Sequence, residues 1–64
     1  MTFHEKVKLV REKLHLSQEA LARELQVSFA TVNRWESGKR EPSIKAKKTF
    51  YEFCKRNEIK GVKE

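Results

Sequence analysis

The sequence predicts an all-α fold, a compact bundle of four to five helices. Three observations predict it. Apolar residues recur at helical spacing along the chain, serines stand where three of the amphipathic patterns begin, and 64 residues suffice for one domain with a compact, helix-led core.

The first element follows from Phe3, Val7, Val10 and Leu14, which fall on one stripe with charged residues between them and predict a helix over about 2–14. His15 is its expected stop, since histidine tolerates left-handed backbone and suits the negative end of a helix dipole. Ser17 caps a second, two-turn helix carrying Ala20, Leu21, Ala22 and Leu25, which Gln26 and Val27 interrupt. Ser28 caps a third, with Val32 and Trp35 turned inward, running to about Glu36 and closed by Ser37 and Gly38. After a short basic connection from Lys39 to Pro42, Ser43 caps a last helix carrying Ile44, Ala46, Phe50, Phe53 and Cys54, which Asn57 ends. The domain is expected over 1–57, with a loose polar tail at 58–64.

Composition narrows the chemistry. Fifteen Lys and Arg against nine Glu give a net charge of +6, which favours a polyanionic partner. The charge is uneven: six basic and five acidic residues over 1–38 (net +1), nine basic and four acidic over 39–64 (net +5). The lysines of the last helix are, by default, its solvated face. One cysteine excludes an internal disulfide, and with no signal-peptide pattern the expected location is cytoplasmic. No apolar run is long enough to span a bilayer, so no membrane partner is expected. His4, His15 and Cys54 fit no zinc spacing, so no metal and no cofactor is expected. No nucleophile stands near a base and no phosphate-binding glycine loop occurs, so the chain does not read as an enzyme.

The informative segment runs from Ser17 to Lys39: a two-turn helix, a tight turn and a second short helix, the helix-turn-helix arrangement that sets one helix into the DNA major groove. With Val32 and Trp35 inward, helical geometry puts Phe29, Ala30, Asn33, Arg34 and Ser37 outward. Arg34 suits guanine O6 and N7 or a phosphate, Asn33 suits adenine or a phosphate, and Phe29 with Ala30 suits thymine methyl groups. Gln18, at a helix start, suits a phosphate oxygen, and Lys39 with Arg40 can grip the backbone on the other flank.

The segments Leu16-Ser17-Gln18-Glu19-Ala20-Leu21-Ala22, Val27-Ser28, Thr31-Val32-Asn33-Arg34-Trp35-Glu36-Ser37-Gly38-Lys39-Arg40 and Pro42 together resemble the Xre/Cro-repressor family over about residues 7–54. The resemblance implies a lambda-repressor-like bundle, double-stranded DNA as partner, and transcriptional regulation, most simply repression. It makes Gln18 the phosphate contact at the start of the second helix. Ser28, Phe29, Ala30, Asn33 and Arg34 match base- and backbone-facing positions, and Thr31 falls within the same set. Arg11 and Glu36 match a structural ion pair. Two features depart from the family. Gln26 stands where glycine is common inside the turn, at a strain of roughly 1–2 kcal/mol if left-handed, and the chain lacks residues for a full fifth helix, so a homodimer on a palindromic site is an open expectation. Two alternatives remain beside this reading: an antitoxin-like or protein-interaction module with Phe29, Tyr51 and Phe53 as its contact surface, and the DNA-targeting domain of a longer polypeptide.

Overall fold

Helices α1 (Phe3–Lys13), α2 (Gln18–Leu25), α3 (Phe29–Ser37) and α4 (Ile44–Arg56) make up the computed structural model, which describes residues 1–59 and Val62. Among the described residues there is no fifth helix and no strand, so the lower of the two expected helix numbers holds.

Each helix starts on a hydroxyl. Thr2, Ser17, Ser28 and Ser43 take extended backbone, and the side-chain oxygen of each accepts from the amide three residues on, at 3.4, 3.0, 3.1 and 3.1 Å. This satisfies one of the amides that a helix start leaves without an internal partner. At Thr2 the contact is reciprocal, because the Thr2 amide donates to Glu5 Oε1 at 2.9 Å. That bond, and then the Thr2 hydroxyl, hold the Glu5 carboxyl below its ordinary range.

Three helices also stop alike. His15, Gln26 and Glu58 take left-handed backbone, with φ of 55°, 59° and 53°. The next residue is apolar each time: Leu16, Val27 and Ile59 donate their amides to the carbonyls of Arg11, Ala22 and Cys54 at 2.9, 2.9 and 3.0 Å, and all three side chains pack on the core. This is a Schellman closure, in which the apolar residue after the left-handed one pins the chain to the helix it has just left. The left-handed geometry expected at His15 and Gln26 is present, and its strain is offset by these amide bonds and by the burial of the following side chain. α3 instead ends on Gly38 at φ 70°. Glycine is required there on a second ground, because a Cβ would stand 2.8 Å from His4 Nδ1.

The core gathers Phe3, Val7 and Val10 of α1, Leu21, Ala22 and Leu25 of α2, Val32 and Trp35 of α3, and Phe50, Phe53 and Cys54 of α4. Phe3 joins three helices, edge-to-face with Trp35, Phe50 and Tyr51 at centroid distances of 5.7, 5.2 and 6.1 Å. α3 packs on both α1 and α2, and α4 closes the far side against α2. Ile44, the first residue of α4, is 87% exposed. One expectation is corrected. Within the expected polar tail, Val62 is buried with the core and Ile59 packs against it, since apolar area left beside an open edge of so small a core is worth covering. Lys60, Gly61, Lys63 and Glu64 of that tail lie outside the described residues.

Burial pushes the Cys54 thiol up to about 11, so the native protein holds it protonated at neutral pH. We expect Cys54 to resist alkylation at pH 8 until denaturant is added; labelling at the same rate in both conditions would contradict its burial. The two helix ends should respond oppositely to glycine exchange. Gly38→Ala should cost about 1–2 kcal/mol or more, from the left-handed strain plus displacement of His4, whereas Gln26→Gly should be neutral or stabilise by up to about 1 kcal/mol. Thermal unfolding of the two variants measures this.

Candidate nucleic-acid interface

The surface in question is the outer side of α3, and its orientation is set from beneath. Val32 is wholly buried and Trp35 is 5% exposed, which leaves the opposite side of a two-and-a-half-turn helix free. Phe29, Ala30, Asn33, Arg34 and Ser37 are all exposed there, as are Ser28 at the cap and Lys39 and Arg40 just beyond Gly38. Thr31 and Gln18 are half-buried at its edges.

The far end of α3 is held by charge. Arg11 Nε and Nη2 donate to Glu36 Oε2 and Oε1 at 2.7 and 3.1 Å, while Nη1 donates to the Leu16 carbonyl at 3.1 Å. One guanidinium therefore ties together α1, the link into α2, and α3. Both side chains are sheltered, at 20% and 8% exposure, and a two-point fork between a guanidinium and a carboxylate fixes angle as well as distance. The hydrogen bond to Glu36 raises the Arg11 pKa above its ordinary value, against the opposing effect of burial. The pair is structural and does not face outward.

Several outward residues are already engaged with one another. Asn33 Nδ2 donates to Gln18 Oε1 at 3.1 Å, which joins the start of α2 to the middle of α3. Gln18 and Asn33 were each singled out in the sequence as candidate contacts, but fifteen positions apart in the chain nothing marked them as a pair. With its oxygen turned to Asn33, Gln18 has its amide nitrogen available for a phosphate, and Asn33 keeps its oxygen and a second N–H for a base edge. Ser28 is first a cap: its hydroxyl takes the Thr31 amide and lies 2.8 Å from Thr31 Oγ1. The Ser37 hydroxyl donates to the Arg34 carbonyl at 2.7 Å and accepts from the Lys39 amide at 3.5 Å, so its role is to shape the helix end.

Arg34 and Arg40 also meet, as two walls of a cleft of about 330 Å³ that Thr31, Ser43 and Thr49 line with hydroxyls. The turn at Pro42 folds the connection back beside α3, an arrangement that spacing along the chain does not announce. Glu41 lines the same cleft and is ion-paired with Lys47.

A protein-contact surface built from Phe29, Tyr51 and Phe53 does not exist as one patch. Phe53 is buried, and Tyr51 is held by Phe3 and by Lys6, whose Nζ donates to its hydroxyl at 3.2 Å. Among the described residues no three His, Cys or Glu side chains are grouped to hold a metal ion, and no helix is long and apolar enough to cross a membrane.

The family model described as Helix-turn-helix matches residues 7–46, from the middle of α1 to the first turn of α4. The chain belongs to the Xre/Cro-like helix-turn-helix family. Membership carries the coarse function with it: DNA binding in transcriptional regulation. Within this helix-turn-helix, α2 and α3 are the two helices of the motif and Gln26 and Val27 make its turn. The chain is also similar to the HTH-type transcriptional activator BcrR of Enterococcus faecalis, 40% identical over 53 residues. That match takes in 83% of this chain and 26% of the relative, so the chain spans about a quarter of the curated relative's length. No solved structure matches.

Glu36→Ala leaves the sheltered Arg11 guanidinium without its carboxylate. The expected cost is about 3 kcal/mol, at the lower edge for a buried pair because Arg11 keeps some contact with water. An unchanged melting temperature would contradict the structural role.

Proposed function

We propose that the chain binds specific sequences in double-stranded DNA, with α3 laid in the major groove, and regulates transcription from the sites it occupies. The observation that carries this reading is the outer side of α3: an arginine and an amide held by a neighbouring helix stand exposed on a rod whose other side is locked into the core. Arg34 offers two donors to guanine O6 and N7, and Asn33 an amide suited to adenine N6 and N7. Gln18, Lys39 and Arg40 flank them and contact phosphates, which sets register without reading sequence. Ser28, Thr31 and Ser37 contribute by shaping the two ends of α3 beside the duplex.

The net charge of +6, with the excess in the second half of the chain, supports the same reading by drawing the domain to a polyanion. Occupying a promoter suffices for repression, the output expected from the resemblance. The Enterococcus faecalis relative is named an activator, so a reporter with the selected site upstream of, or overlapping, the promoter decides the sign. Two copies on a palindromic site would set their α3 helices about 34 Å apart, one turn of the duplex.

The test is selection of bound duplexes from a random pool, followed by titration at several salt concentrations. Arg34→Ala should cost about 1–3 kcal/mol and relax the preference at one base pair. Lys39→Ala should weaken every sequence alike and lower the salt slope by about one unit. Identical behaviour of the two variants would overturn this division of roles, and palindromy among the selected duplexes would report the two-copy arrangement.

A further inference from the structure

Phe29 opens α3 with 49% of its surface exposed, and it takes no part in the ring contacts that join Phe3, Trp35, Phe50 and Tyr51. The other large apolar side chains exposed among the described residues are Met1 and Ile44. Each lines a cleft against other parts of the molecule, Ile44 with Phe3 and Tyr51 and Met1 with Leu9, and neither cleft includes Phe29. Around the ring stand Ser28, Ala30 and, one helical turn on, Asn33. The Ser28 hydroxyl caps the helix and one Asn33 N–H donates to Gln18.

A lone ring in polar surroundings is too small for a protein-docking patch, which takes several hundred Å² of contiguous apolar surface. Against a duplex the chemistry is narrower. The base edges of the major groove present donors, acceptors and one apolar group, the C5-methyl of thymine. An apolar ring carried into that groove on the first turn of a helix has this one matched target, and Ala30 beside it adds a second small apolar surface. Cytosine methylated at C5 carries the same methyl at the same ring position.

We propose that Phe29, with Ala30, reads the C5-methyl group of pyrimidines, so that DNA binding by this chain responds to cytosine C5-methylation as it does to thymine. The inference rests on the DNA-binding reading above and adds to it a ligand chemistry and a means of control. Methylating a cytosine under Phe29 strengthens binding, because the methyl displaces water from an apolar face that unmethylated cytosine leaves wet.

The test starts from the selected duplex. Each thymine is replaced in turn by uracil, and cytosine is placed at the same positions with and without a C5-methyl. For the unaltered protein, removal of the methyl at one or two adjacent positions is expected to weaken binding roughly three- to tenfold, and methylation of cytosine there to strengthen it by a similar factor. In Phe29→Ala both ratios should collapse to unity while circular dichroism shows the helices intact. The thymine–uracil comparison needs no variant, so it stands even if that substitution unfolds the domain. The inference is overturned if uracil and thymine are bound alike at every position, if Phe29→Ala leaves the ratios unchanged, or if the selected site holds no thymine at the contacted positions. Failure to bind any duplex is a separate result, which overturns the DNA-binding reading itself.

Discussion

The outward face depends on how α3 is held, and two neighbouring residues hold it by different means. Trp35 enters the core edge-to-face with Phe3, and Glu36 takes the two-point fork from Arg11. The first contact fixes depth and the second fixes rotation about the helix axis, because a forked ion pair tolerates little twist. Rotating α3 by one residue would carry Arg34 inward and Trp35 outward. The arginine beneath the fork also takes the Leu16 carbonyl, so the same side chain sets the angle at which α2 approaches.

Economy in the turns follows from the small core. In a chain of 64 residues with two glycines, three left-handed non-glycine residues stand at helix ends among the described residues, and each is followed by an apolar side chain that returns to the core. Three of the four helix ends thereby double as packing contacts. The glycine at 38 is kept for the one end where a side chain from another helix, His4, lies against the backbone. Lys39 and Arg40 emerge immediately after that turn, so the sharp end of α3 carries two exposed cations close to Arg34.

Much of this was legible in advance. The serine caps, the inward stripe of each helix, the free face at Phe29, Asn33 and Arg34, and the stops at His15, Gln26 and Gly38 are all local matters, decided by hydrogen bonds and periodicities between residues close together in the chain. Val62 was misplaced for a related reason. Periodicity says which residues are able to be buried, and only the neighbouring elements say whether anything is there to bury them.

The sequence by itself determined the type of the elements, the side of each that turns inward, and the residue types offered to a polyanion. These follow from chain-local geometry and from composition. The tertiary structure alone decided that Gln18 reaches Asn33, that Arg34 and Arg40 share a cleft, and that Val62 joins the core. Those outcomes depend on the angles at which helices cross and connections fold back, and such angles are set by the packing of all four helices together, which no single stretch of the chain encodes.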